Sequence, residues 1–237
     1  MTGIDRHRLL FVLTLGTLLT SMPLSAAEIR GAVTVQQDEL FGEGRDALQA
    51  IPVSVALFPA EGQALPHRQS QQQTMEVSGE GIKPLYLALP RGSRVRFRNL
   101  DDVHHELFTH SHAQPLSLRL DRSGTGREAV VPLDAAGDLH WFCRIHARSY
   151  ARIDVVDTPL VRMLHAGESF EFRDLPAGKW RLRVAAPGAE TQIIEAEALT
   201  APPPLRIPLA VKGIATEARA APQPMAVEQL YPSQPGL

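Results

Sequence analysis

Leu139-His140-Trp141-Phe142-Cys143-Arg144-Ile145-His146-Ala147-Arg148-Ser149-Tyr150 carries the only cysteine of the chain, and a histidine follows it three residues later. The aromatic, apolar run ahead of Cys143 has the composition of a strand. Cys143 therefore stands at a strand end and His146 in the loop beyond it, where a thiolate and an imidazole can address one metal ion. Far upstream, Phe97-Arg98-Asn99-Leu100-Asp101-Asp102-Val103-His104-His105-Glu106 offers a third donor, His105. Cys-x-x-His alone is a weak signal. Its conjunction with a histidine just past a strand-end Asn is more specific.

The surroundings of both stretches are patterned as strands and turns. Residues 94–99 alternate strictly, with Val95 and Phe97 on one face and three arginines on the other, the mark of a half-buried strand. Further strands are expected at 29–35, 51–59, 82–90, 116–120, 129–133, 151–156, 169–173, 179–184, 191–196 and 205–211. Turns are expected at 91–93, 134–138 and 174–178. The glutamine-rich tract 69–73 suggests a solvated connection and a boundary near 62–74, and residues 36–47 a loop. With 19 prolines, 17 glycines and no long helical periodicity in the middle of the chain, the fold class expected is all-β, a sandwich or barrel.

The chain has 237 residues, enough for one large or two small domains. It is 44% hydrophobic and 21% charged, with a formal net charge of -2. That balance fits a soluble globular protein and gives no basis for nucleic acid or an anionic membrane as partner. Arg6 and Arg8 precede an apolar run at 9–19, and Ser25-Ala26-Ala27 precedes Glu28. This is the order of a secretory signal peptide, with cleavage expected after Ala27. The run is too short for a membrane span, so no span is expected after signal removal. The expected location is periplasmic or secreted. A single cysteine in an oxidising compartment has no intrachain partner. It is buried and inert, paired between chains, or bound to metal, and His146 beside it favours metal.

One Cys and two His form the trigonal core of a blue-copper electron-transfer site. The ligand set expected is His105, Cys143 and His146, and the cofactor is copper. The thiolate bonds the metal strongly and two neutral imidazoles complete the plane. Asn99 and Asp101 are candidates to orient the ligands, or simply turn formers.

Residues 75–157 resemble a cupredoxin domain, the Greek-key sandwich of plastocyanin and amicyanin, through the Pro84 strand, Gly92, Phe97-x-Asn99-x-Asp101, His105 and Cys143-x-x-His146. They are most similar to the exported cupredoxin-like proteins called methylamine utilization proteins. There the first His is followed by Asn-Val-Phe-Ser, and here by Glu106-Leu107-Phe108-Thr109. The resemblance implies an axial Met three residues after the second His. Here that position is Ser149, and Ala151 stands where other cupredoxins place Met. The flanks resemble the carboxypeptidase regulatory-like, transthyretin-type sandwich. The matching pieces are Gly31-Ala32-Val33, the strand 51–57, residues 168–172 and the hairpin Leu175-Pro176-Ala177-Gly178-Lys179-Trp180-Arg181-Leu182. The organisation expected is a signal peptide at 1–27, a split sandwich at 28–66 and 158–211, an inserted cupredoxin at 67–157 and a disordered tail at 212–237; the alternative is one cupredoxin with extra N-terminal strands and a separate C-terminal domain.

Three functions are compatible with these residues: electron transfer, copper delivery or storage, and a structural β-module with a degenerate copper site. His104, His110, His112 and His140 are either an accessory metal site or surface histidines. His104 is the rival to His105, while His67 and His165 carry no motif. Arg144, Arg148 and Arg152 either dock an acidic redox partner, whose identity the sequence leaves open, or form a solvated face. No nucleophile with a base, phosphate-binding glycine loop or catalytic acid pair is present, so an enzyme is not expected.

Overall fold

A computed structural model describes residues 27–37, 50–60, 65, 70–111 and 114–212. The leader, the loop at 36–47, His67, His112 and the tail beyond Lys212 lie wholly or mostly outside these residues. What is described is all β, with one short 3-10 turn at Thr125–Arg127.

The middle of the chain forms a two-sheet sandwich. Its strands are β3 (Gln72–Ser78), β4 (Gly81–Lys83), β5 (Tyr86–Pro90), β6 (Arg94–Asn99), β7 (His105–His110), β8 (Ser117–Leu120), β9 (Glu128–Pro132), β10 (Gly137–Cys143) and β11 (Tyr150–Val156). One sheet runs β4-β3-β6-β9 and the other β5-β11-β10-β7-β8. β3 pairs with β6 in parallel, and β5 with β11. The chain leaves the first sheet at Asn99, forms β7 and β8 in the second, returns for β9, and crosses again for β10. This is a Greek-key course. Alternation sets the faces: Val95, Phe97 and Asn99 of β6 are buried, whereas Arg94 and Arg98 are exposed. Met75, Phe97, Leu107, Leu139, Trp141 and Ile153 meet in the core between the sheets.

The flanking segments pair with each other. The strands are β1 (Ala27–Gln37) and β2 (Pro52–Pro59) before the central sandwich, and β12 (Val161–His165), β13 (Ser169–Leu175), β14 (Gly178–Ala185), β15 (Gln192–Ala198) and β16 (Leu205–Val211) after it. The sheets run β13-β1-β16 and β12-β2-β14-β15. Leu57 of β2 lies opposite Leu182 of β14. Val33, Val55, Leu57, Phe172, Trp180, Leu182 and Leu209 share one core. At Gly31 an added Cβ would fall 2.6 Å from the Leu205 carbonyl oxygen, so only glycine permits β1 and β16 to approach this closely.

The two sandwiches meet where β5 and β11 face β2, β12 and β14. Ala56, Tyr86, Ala88, Val156 and Val161 form a small apolar cluster there. Beside it the Tyr86 hydroxyl donates to Asp154 at 2.8 Å, so the 2.6 Å contact with Ser54 has the serine as donor. Arg152 and Arg183 both bond the Asp154 carboxylate, at 2.7 and 2.8 Å. Burial, and after it the neighbouring Asp154 charge, push the Tyr86 phenol well above its ordinary range.

Two expectations need correction. Gln72 and Gln73 are not a connection; they open β3, whose outward side chains are exposed while Met75 and Val77 fill the core. A ladder is made by backbone groups, so glutamines on a solvent face do not prevent it. The expected strand at 82–90 divides at the cis Lys83-Pro84 bond into β4 and β5, which belong to different sheets. Strands β7 and β12 were not anticipated.

Candidate metal centre

Three side chains converge at one end of the central sandwich. Cys143 ends β10 and lies opposite Leu107 of β7. His105, two residues before Leu107, shares its face. Both point between the sheets, with His105 wholly buried and Cys143 only 5% exposed. Arg144 N–H donates to the Glu106 carbonyl at 2.9 Å, extending the ladder one residue past Cys143. The chain then turns, and Ser149 N–H closes the turn on the His146 carbonyl at 2.9 Å. His146 is thereby brought back over Cys143 and left half-buried.

Cys143 Sγ lies 3.7 Å from His105 Nδ1 and 3.9 Å from His146 Nδ1. Ligand bonds of about 2.3 Å to sulfur and about 2.0 Å to nitrogen, set about 120° apart, would separate the two donor types by about 3.7 Å. The sulfur–nitrogen spacings therefore suit one trigonal ion. All three donors lie within 4.8 Å of one another, and they are the one His/Cys/Asp/Glu group of three or more among the described residues that could hold a metal. One soft thiolate with two imidazoles is a donor set suited to copper.

The support of His105 comes from the loop between β6 and β7. Its outer nitrogen, Nε2, is 3.0 Å from the Asp101 carboxylate. With Nδ1 facing the sulfur, Nε2 carries the proton and donates. Asn99 clamps the loop: its amide donates to the Val103 carbonyl at 2.7 Å and to the Asp121 carbonyl at 3.0 Å, and its side-chain oxygen accepts from Asp101 N–H at 2.8 Å. Arg127 bonds the carbonyls of Asn99 and Asp101, each at 3.0 Å. Asn99 is thus a structural clamp rather than only a turn former. Burial lowers the His105 pKa, partly opposed by the Asp101 bond, with repulsion from His146 acting in the same direction as burial. The result favours the neutral imidazole that metals require.

Ser149 is 2% exposed, and its hydroxyl has no hydrogen-bond partner among the described residues. Neither described mature methionine replaces it. Met75 lies in the central core, and Met163 sits on β12 with its sulfur against Ala88 N–H. His104, the rival to His105, is partly exposed and 3.9 Å from Glu106. His140 is held by the Tyr150 hydroxyl at 2.9 Å and lies 3.4 Å from Asp138. The His110 backbone pairs opposite His140 on β7. His165 sits near Glu168 on the other sandwich. Of the three arginines near the site, Arg152 is buried on Asp154 and offers nothing to a docking surface. Arg144 covers the Phe108 ring, 4.7 Å from its centroid, and Arg148 is exposed. The Arg127 clamp went unread in the sequence, because nothing local links it to a loop 26 residues upstream.

No family model and no curated protein matches the sequence. Among solved structures the chain is similar to a purple cupredoxin from Nitrosopumilus maritimus, at 18% identity over 37% of this chain and 100% of that one, with a TM-score of 0.29. It is similar to pseudoazurin from Methylobacterium extorquens AM1, at 21% identity over 37% of this chain and 76% of that one, with a TM-score of 0.30. A third likeness is to a copper-containing nitrite reductase from Thermus scotoductus SA-01, at 18% identity over 52% of this chain and 28% of that one, with a TM-score of 0.31. These are distant likenesses.

Proposed function

We propose that this chain is an exported mononuclear copper protein of the cupredoxin type that carries single electrons, with His105, Cys143 and His146 as ligands. The observation that carries this reading is the pair of sulfur–nitrogen spacings, 3.7 and 3.9 Å, on a buried cysteine sulfur between two imidazoles. Bound copper would supply a one-electron couple. The protein's part is to hold the three donors on strand ends and a clamped loop, so that little rearrangement accompanies a change of charge. His146 is the ligand nearest solvent, and its neighbour Ile145 is about half exposed. That exposed edge suits the approach of a redox partner protein. No thioether would come from position 149, where the resemblance implies a Met and this chain has Ser149.

The central sandwich, residues 67–157, is a cupredoxin similar to the methylamine utilization proteins. It is inserted into a carboxypeptidase regulatory-like sandwich split between 28–66 and 158–211. Pairing of β1 with β13 and β16, and of β2 with β12 and β14, supports this division. The leader sends the protein to the periplasm or outside the cell, where a mature chain beginning at Glu28 is expected by mass spectrometry.

The test is a Cu(II) titration of the mature protein followed by absorption and EPR. An intense visible charge-transfer band that saturates at one equivalent and disappears in Cys143→Ser is the expected result. Copper bound without that band would replace electron transfer by delivery or storage. No binding would leave a structural β-module.

A further inference from the structure

The loop that precedes the buried ligand places a carboxylate on the outer edge of that ligand. Asp101 Oδ2 lies 3.0 Å from His105 Nε2, and the imidazole itself is fully buried. The backbone of Asp101 is held independently of this carboxylate. Its N–H is taken by Asn99 and its carbonyl by Arg127. The carboxylate is therefore not needed to shape the loop, and its contact with the ligand is the interaction its charge makes. An added Cβ on Gly79 would lie 3.8 Å from Asp101 Oδ2 and 3.9 Å from His146 Nε2, so the turn after β3 packs beside the Asp101 carboxylate and the outer edge of the His146 imidazole.

We propose that Asp101 tunes the two copper oxidation states, stabilising Cu(II) over Cu(I) through the His105 imidazole and so holding the reduction potential down; the inference rests on the copper reading above. The reason is chemical. An imidazole whose outer N–H donates to a carboxylate is a better electron donor toward the ion at its inner nitrogen. A negative charge beside the site also favours the more highly charged ion. Cu(II) with one thiolate leaves a net +1, which the carboxylate offsets. Cu(I) with one thiolate is already neutral, and the carboxylate has nothing to offset. On reduction one electron from a one-electron donor enters the Cu(II) centre and gives Cu(I). The proton stays on His105 Nε2 and no bond breaks. Asp101 is a positioning and tuning residue, since it acts through His105. Its side chain is 28% exposed, so solvent screens part of the effect.

The experiment uses the mature protein, Asp101→Asn and, as a charge control, Asp102→Asn, which removes an exposed carboxylate one residue away. The reduction potential is measured against a ferricyanide/ferrocyanide couple, and Cu(I) and Cu(II) affinities are measured by chelator competition. For Asp101→Asn the expected result is a Cu(II) affinity lower by about ten- to a hundredfold with Cu(I) affinity nearly unchanged. That is a rise in potential of about 59 mV for each factor of ten. Asp102→Asn should stay close to the parent. An unchanged potential in Asp101→Asn overturns the proposal. Equal loss of Cu(I) and Cu(II) affinity also overturns it, because that marks a purely structural role. An equal rise in both variants overturns it in favour of unspecific surface charge. If Asp101→Asn is too weak a Cu(II) binder for a potential, retained Cu(I) binding with a metal-free melting temperature like the parent's supports it. Failure of the parent to show the thiolate band instead overturns the copper reading itself, and that outcome is seen before any variant is compared.

Discussion

At the residue scale, Ser149 is the position where chemistry and packing can be separated. Its buried hydroxyl lacks a protein partner among the described residues, and a buried unpaired polar group costs about 1–3 kcal/mol. In the metal-free protein, Ser149→Ala should therefore be stabilising by about 1 kcal/mol, read as a higher urea midpoint at unchanged m-value. Ser149→Met adds volume to a closed site and should cost about 1–3 kcal/mol. If the loop after His146 has the conformation that the family resemblance implies, the new thioether should also alter the visible and EPR spectra of the copper-loaded protein. Spectra identical to the parent would show that position 149 does not face the metal.

At the scale of elements, the site depends on how the β6–β7 loop is pinned. Asn99 alone, itself buried, bonds two carbonyls and one N–H at the foot of a loop whose residues 100–104 are exposed or half-buried. Asn99→Ala should cost about 2–3 kcal/mol in urea unfolding, since several backbone groups lose their partner at once. His105 rides on the end of that loop, so Cu(II) affinity should fall with stability. Full affinity in a destabilised Asn99→Ala would mean that β7, rather than the loop, fixes His105. The β10–β11 connection behaves differently. Its two ends are fixed by sheet pairing, Phe142 against Tyr150, and a single turn bond suffices to return His146 to Cys143.

At the scale of the whole molecule, the polar cluster between the sandwiches governs whether they unfold together. Asp154 receives Arg152, Arg183 and the Tyr86 hydroxyl, and it is 1% exposed. Asp154→Ala would leave Arg152 buried without its carboxylate, at a cost of about 3–5 kcal/mol. The two tryptophans, Trp141 in the central core and Trp180 in the flanking one, report the two units separately. In the parent, single-tryptophan variants should unfold at one common urea midpoint; in Asp154→Ala the two midpoints should part. Copper at a hundred times its Kd should then stabilise the Trp141 transition by about 2.7 kcal/mol and leave the Trp180 transition where it was. Coincident midpoints that both move with copper would show that the apolar contacts alone couple the units.

Some of this was written locally in the chain. The all-β character follows from short alternating runs such as 94–99 and 205–211, because a period of two places each side chain on a face without reference to distant residues. The nature of the candidate site was equally local. A single Cys at a strand end, a His three residues on and a His after a strand-end Asn are donor types and spacings visible without coordinates. What lay beyond local reading is what depends on neighbours distant in sequence. The alternation of Arg152 and Asp154 with Ala151, Ile153 and Val155 is that of a strand with one wet face. Yet every residue of β11 is buried, because β14 and its Arg183 close over the polar side. Gln72 and Gln73 look like a solvated link, yet become strand because β6 supplies the ladder. The resemblance favoured His105 over His104, but the physical ground for that choice belonged to the tertiary structure. Two adjacent histidines at the head of a strand point to opposite sides, and only the pairing of β7 with β10 decides which side holds Cys143.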